Sequence, residues 1–511
     1  MTLRQEQSHS GRALLSRRYR RMYGTSYSSN VVPQTSSRLA RTIARWASDV
    51  SPSDRAGRCE RTESRGWTAT PPASGHHGED AAIIQPMPFD NLLVSSGISP
   101  VDNRFRRAQP VPRLTTELRA LHEAARVSGL DQRRFGPEAY WNILDPILDG
   151  STTLACERVG ESAEGRPLHM VSFGKGEVGV LAWSQMHGDE STATMALADI
   201  FSFLARHPEH ALVRTLSRRL SLHFVPMLNP DGAARFQRHN AAGIDVNRDA
   251  RRLATPEGRA LKSVHDRIRP AFGFNLHDQS PRFRVGDSGR MAAIALLAPA
   301  HNDEGEVSER RRAAMRVCGV VRRAIEPLVG GHITRYDDAF NPRAFGDLMG
   351  AWGTSTILLE SGGWPDDPQK QHLRMVNFVG ILSALGSIAD DSYEGVDLAL
   401  YDGLPPNGRM VSDLLLAGGT LIAPGLPPTA ADVLIEYDDP LTRSGPTIVE
   451  VGDLADREAH ETVAAGGLFV VAGEGHRAPD GSARIGPGVP ADLVVARDPV
   501  GKVAVRRIGP D

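Results

Sequence analysis

The sequence predicts an α/β fold with a central, mostly parallel or mixed β-sheet flanked by helices. A small β-rich C-terminal domain follows it, and a disordered tail precedes it. Three observations predict this. Between residues 110 and 390, short apolar runs ending in polar residues alternate with helical patterns, as a sheet covered by helices requires. From 395 to 511, strand-like runs separated by Gly, Pro and Asp replace that alternation. Residues 1–85 hold few aliphatics, and the first 65 carry 13 arginines against five acids. Such a segment buries too little apolar surface to offset its ordering entropy.

The elements follow in order. RLTTELRALHEAARV, residues 113–127, sets Leu114, Leu118, Leu121 and Ala125 on one helical face. TLACERVG and PLHMVSFG, joined by the turn-like ESAEGR, read as paired strands. VGVLAWS (178–184), SLHFVPML (221–228), FGFNLH (272–277), MAAIALLAPA (291–300) and TSTILLE (354–360) are the apolar runs of buried strands. Helical patterns follow at STATMALADIFSFLARH, at 306–327 and at 368–388. Beyond 395, DLLLAGGTLIA, ADVLIEYD, TIVEVG, GLFVVAG and ADLVVARD are short strand-like runs.

Composition excludes several classes. At 511 residues, 40% hydrophobic, with a formal net charge of −2, the chain gives no overall electrostatic reason to bind nucleic acid or an acidic membrane. Cys59, Cys156 and Cys318 are too far apart in sequence for a disulfide framework or a cysteine zinc site. No uninterrupted run of about 18 apolar residues is present, so no membrane-spanning helix is expected. No apolar segment follows the early arginines, which with the cysteine usage predicts a cytoplasmic protein. The basic, Ser-rich tail reads as solvated chain, with a transit segment or an anion-binding arm as alternatives. Only four lysines accompany 55 arginines.

In open α/β sheets, ligands gather at the carboxyl ends of strands. Four such ends carry polar residues that strand packing does not require. They are His187-Gly188-Asp189-Glu190; Asn229-Pro230-Asp231-Gly232, leading to Arg238, Asn240, Asp245, Asn247 and Arg248; His277-Asp278-Gln279; and Glu360-Ser361-Gly362-Gly363. A catalytic zinc takes three N or O protein ligands and keeps one position for water. His187 and Glu190, at a strand end and in the next helical turn, form a short-spaced pair, and His277 from a distant strand end completes a His-Glu-His set. The pair alone carries little weight, since HxxE also occurs at His76/Glu79 and His301/Glu304.

The joint pattern HGDE, NPDGAARFQRHNAAGIDVNRD, FNLHDQ and TILLESGG resembles, in order, the zinc carboxypeptidase family typified by carboxypeptidases A and B. The resemblance covers roughly residues 150–390. It implies that His187, Glu190 and His277 hold one Zn²⁺ per chain. It implies Glu360 as general base, taking a proton from the attacking water and delivering it to the leaving amine. Arg238 would polarise the scissile carbonyl and stabilise the oxyanion, and Asn247 and Arg248 would hold the substrate's terminal carboxylate. These roles are chemically sound: zinc lowers the pKa of its water to about 7, and arginine meets a carboxylate bidentately.

Each residue also has a plainer reading. Glu360 could cap the turn before Gly362, Arg238 and Arg248 could be surface arginines, and NPDG is good turn chemistry. Asp278 and Gln279 read either as supports for the ligands or as exposed polar residues. Asp347 reads either as a selector of basic substrates or as a loop residue. One departure from the family pattern stands out: between Asp337 and Glu360 the chain has no Tyr to fold over a substrate. Tyr336 comes slightly early, and Phe340 or Trp352 could fill that space. The expected function is therefore that of a zinc-dependent metallocarboxypeptidase cleaving a peptide or peptide-like amide next to a free carboxylate. The alternatives are an amidase or deacylase acting on N-acyl amino acids or cell-wall peptides, and a non-catalytic binding protein. The expected partner is thus a peptide or N-acyl amino acid, with neither nucleic acid nor membrane.

Overall fold

A computed structural model describes residues 111–473, 476, 481 and 484–509. The predicted tail, Cys59 and the His76/Glu79 pair lie outside the described residues. The strands of the larger sheet are β1 (Leu154–Glu161), β2 (Pro167–Phe173), β3 (Val178–Ser184), β4 (Leu220–Val225), β5 (Phe272–Asp278), β7 (Ile294–Leu297), β8 (Ile333–Arg335) and β9 (Ser355–Ser361). They assemble in the order β1-β2-β4-β3-β5-β9-β7-β8. The central run β4-β3-β5-β9 is parallel, while β1-β2, β2-β4 and β9-β7 pair antiparallel. The sheet is therefore mixed, as the sequence predicts.

Alternation along each strand sorts side chains onto two faces. On one face Val180, Ala182, Phe274, Leu276, Ile357 and Leu359 join a core with the helices Thr192–Arg206, Glu309–Val329 and Gln371–Ala389. On the other, Leu181 and Trp183 pack with Val246, Leu261, Val264, Phe345 and Met349, from the Val246–Arg248 turn and the helices Pro256–Ile268 and Phe345–Ala351. The central strands are buried on both faces, which is why they read as continuous apolar runs rather than alternating ones.

Element ends have local causes. The helix predicted from 306 starts at Glu309, because the Ser308 side chain accepts from the Arg311 N–H. The strand predicted over 221–228 ends at Val225, just before Pro226, which has no N–H for the ladder. NPDG opens the short helix Pro230–Arg235 rather than a tight turn: Asn229 caps it by accepting from the Gly232 N–H.

Helix Gln371–Ala389 is long and apolar enough to cross a membrane by length and composition alone, yet 89% of its apolar window is buried. It carries Arg374 and Asn377 in its interior. Arg374 is fully buried and binds Asp199 through Nε at 2.7 Å and Nη2 at 2.6 Å, as well as the carbonyls of Leu130 and Val127. Those partners pin the helix inside the protein.

The C-terminal strands β11 (Ser412–Ile422), β12 (Thr429–Asp439), β13 (Ser444–Gly452), β14 (Ala459–Ala464), β15 (Phe469–Ala472), β16 (Leu493–Ala496) and β17 (Ala504–Ile508) form a second sheet. It has its own core around Leu414, Leu416, Val433, Ile435, Ile448, Leu493 and Val495. A third, two-stranded sheet joins the two parts: β10 (Asn407–Met410) pairs antiparallel with β6 (Phe283–Val285), which lies in the segment after β5.

Candidate metal centre

The three parallel strands β3, β5 and β9 end side by side, and the site is built where they end. His187 lies three residues beyond β3, and Glu190 directly precedes the Ser191 N-cap of helix Thr192–Arg206. His277 is the penultimate residue of β5 and Glu360 that of β9, and the two are register partners. Alternation turns both away from the face that buries Leu276 and Leu359.

The loop after β3 is held by backbone geometry. Gln185 takes a left-handed φ of 49°, and its side-chain amide donates to the Gly188 carbonyl at 2.8 Å. A Cβ on Gly188 would stand 2.0 Å from the carbonyl carbon of Gly232, so the glycines of HGDE and NPDG let two site loops touch. Asn229 completes the junction: its Nδ2 donates to the carbonyls of Met186 and Arg238, each at 3.3 Å. That is how NPDG aims the Arg238 loop at the site.

One ligand atom from each of His187, Glu190 and His277 lies within 4.8 Å of the others, and all three residues are buried. Glu190 is the hub. Its Oε1 is 2.6 Å from His187 Nδ1 and its Oε2 is 2.6 Å from His277 Nδ1. Both imidazoles thus turn the same nitrogen inward. His187 Nε2 is 3.0 Å from Asp245 Oδ1, an outer partner that fixes the ring and leaves Nδ1 as the ligand atom. Two neutral nitrogens and a carboxylate are borderline donors that suit zinc better than magnesium, so the residues present fit a divalent ion of that class.

The charges of the metal-free site respond to one another. Burial opposes charge on His187, but Glu190 and Asp245 outweigh it and raise its pKa to about 9. Glu190 is held well below the usual carboxylate range: burial opposes its charge, and the two imidazoles overcome that. Glu360 has no hydrogen-bond or ion-pair partner among the described residues. Burial, and then the negative charge of Glu190, push it up to about 8.

Arg238 is drawn into the same cluster. Its Nη1 donates to Glu190 Oε1 at 3.2 Å and its Nε to Asp245 Oδ2 at 3.1 Å. Asn247 sits behind His277, with Nδ2 3.4 Å from Nε2 and Oδ1 accepting from the Phe345 N–H at 2.9 Å. Arg248 folds onto the Asn247 carbonyl at 2.8 Å. All seven residues given a metal, catalytic or substrate role from sequence are thereby gathered around the strand ends or on the turn beside them.

Two residues matter more than the sequence suggested. Asp245 stood in the motif without a role and is the partner of both His187 and Arg238; its position two residues before Asn247 was the available signal. Lys370 was not singled out. It is buried, and its Nζ donates to Asp278 Oδ2 and to the Ser361 carbonyl, both at 3.0 Å. It therefore ties β5 to β9 one residue beyond His277 and Glu360. Asp278 also accepts from Thr192 Oγ1 at 2.7 Å, and its backbone N–H donates to Glu190 Oε2 at 3.2 Å. Gln279 bonds Asn407 at 2.7 Å, and Asp347 accepts from the Asn341 N–H at 2.8 Å.

Residues 148–275 match the zinc carboxypeptidase family, so the resemblance read from the motifs is borne out there. The match stops two residues before His277. "Probable carboxypeptidase 2" of Arthroderma benhamiae is 30% identical over 137 residues, 25% of this chain and 26% of that protein. "Carboxypeptidase SOL1" of Arabidopsis thaliana is 28% identical over 98 residues, 18% of this chain and 20% of that protein. The chain thus spans about a quarter of the length of the first of these curated relatives and a fifth of the second. Among solved structures, a metallo-carboxypeptidase from Burkholderia cenocepacia aligns over 50% of this chain and 70% of its own, at 19% identity and a TM-score of 0.40.

Proposed function

We propose that the protein is a zinc-dependent hydrolase of carboxypeptidase type, cleaving a peptide or peptide-like amide next to a free carboxylate. The observation that carries this is the convergence of His187 Nδ1 and His277 Nδ1 on the two oxygens of Glu190, beside a carboxylate, Glu360, that has no partner among the described residues. His187, Glu190 and His277 would hold the metal, which when bound lowers the pKa of its water to about 7 and supplies positive charge to a polarised carbonyl.

The chain's own residues do the rest. Glu360, as the carboxylate, takes a proton from the attacking water and passes it to the leaving nitrogen, work that side chains tuned toward neutrality do well. Arg238 presents a guanidinium already aligned by Asp245, and such a donor at a developing oxyanion is worth about 3 kcal/mol. Arg248 offers the planar fork that binds a carboxylate bidentately, and Asn247 adds an amide beside His277.

The test compares wild type with Glu360→Gln for bound zinc and for amine released from short peptides and N-acyl amino acids. About one zinc in both proteins, with amine release only by wild type, is the expected result. Absence of zinc from both would overturn the ligand assignment. Zinc without hydrolysis in wild type would favour a non-catalytic binding protein.

A further inference from the structure

The C-terminal sheet does not stand apart from the site. It touches the segments that leave β5 and β9 directly, and reaches the one that leaves β3 through Arg133. After β5, Arg282 donates to Asp413 through Nε at 3.1 Å and Nη2 at 2.7 Å, and through Nη2 to the Tyr437 carbonyl at 2.6 Å. Tyr437 lies on β12, so a residue five positions past His277 pins the hairpin of β12 and β13. After β9, a Cβ placed on Gly363 would stand 3.4 Å from Leu441 Cδ2, which puts the hairpin tip in van der Waals reach three residues past Glu360. Beside β3, Asp439 pairs with Arg133, whose carbonyl accepts from the hydroxyl of Ser191, the residue after Glu190, at 2.6 Å.

The tip also lies on a definite side of the site. Val246, next to Asn247 and Arg248, belongs to the face that buries Trp183 and Phe345. Arg133 donates through Nε to the Pro368 carbonyl at 3.0 Å, just ahead of helix Gln371–Ala389, which covers the opposite face. A substrate whose carboxylate rests at Asn247 and Arg248 would extend its acyl portion across the strand ends toward the tip.

We propose that the hairpin tip, residues 439–443, is the specificity element on the acyl side of the scissile bond, restricting the site to substrates with a short acyl portion. This rests on the hydrolase reading above. Leu441 supplies the bulk. The Asp439–Arg133 pair holds the tip down at two partly buried side chains, and Arg282 holds its stem.

The test uses the full, zinc-loaded protein and a series of peptides sharing one C-terminal residue but lengthening from one to five residues on the acyl side. Leu441→Ala should raise kcat/KM for the longest relative to the shortest member roughly 5- to 10-fold, and Leu441→Trp should lower that ratio. A merely structural contact would not give opposite signs, and equal zinc content and Tm confirm that both variants fold. Hydrolysis with the same length profile in all three proteins would overturn the proposal while leaving the hydrolase reading standing. No hydrolysis by folded, zinc-loaded wild type would remove that reading and the proposal with it.

Discussion

His277 and Glu360 stand opposite each other as register partners on the parallel strands β5 and β9. Their separation is therefore set by the spacing of a sheet rather than by a loop. A ligand and a proton carrier on adjacent strands keep their geometry without help from substrate. Glu360→Asp keeps the charge but withdraws it by one methylene, and should cut kcat by about 10²-fold, within the usual range for misplacing a proton-transfer group. Bound zinc should be unchanged, since Glu360 is not among the ligands. Steady-state kinetics beside metal analysis checks this, and loss of zinc would count against the separation of roles.

Asp245 holds the outer nitrogen of His187 and two nitrogens of Arg238. Asp245→Asn should weaken zinc binding by about 10- to 100-fold, the usual effect of removing such a partner. It should also lower kcat/KM at saturating zinc, because Arg238 loses its alignment. Competition with a chelator of known affinity measures the first effect. An unaltered affinity would show that the His187–Asp245 contact does not tune the ligand.

The metal-free protein should lose stability as pH rises. His187, raised to about 9 from the ordinary 6.5, contributes stability that is complete below about pH 6.5 and is lost as pH rises through 9. Glu360, raised to about 8, acts in the same direction, because folding favours its neutral form. In chelator, Tm should therefore fall by roughly 5 °C or more between pH 6 and pH 9. Zinc uptake should release protons, so its apparent affinity should climb over that range. Thermal scans in chelator and calorimetry in buffers of different ionisation enthalpy read the two effects; a flat Tm in chelator would contradict the sign.

Lys370 is one of four lysines in a chain with 55 arginines. Its ammonium bridges a carboxylate on β5 and a carbonyl on β9, a task for a compact point charge rather than a planar fork. Lys370→Met should lower kcat about tenfold with KM little changed, since it shifts the ends of the strands and not the carboxylate clamp. Lys370→Arg should not rescue it. Full rescue by arginine would mean that charge alone matters there.

Much of this was legible in sequence because the physics is local. Buried parallel strands announce themselves as apolar runs; β5 and β9 lie where those runs ended in His and Glu, and His187 follows the β3 run by three residues. The helices Pro137–Asp149, Pro256–Ile268 and Phe345–Ala351 were not read. The first has Pro146 in its interior, the second carries many charged residues, and the third spans only seven residues. Lys370 was invisible for a different reason. Its partners lie 92 and nine residues away: the Asp278 side chain, which strand alternation turns opposite to His277, and the backbone carbonyl of Ser361, brought together only by the pairing of β5 with β9. The Asp439–Arg133 contact spans 306 residues and leaves no periodic trace.

That span bears on how the protein is made. His187, Glu190 and His277 leave the ribosome well before Leu441, which trails His277 by 164 residues. At about 5–20 residues per second, the ligands wait roughly 10–30 s before the hairpin can be present. During synthesis the metal ligands are thus out of the ribosome before the hairpin that contacts the segments flanking them.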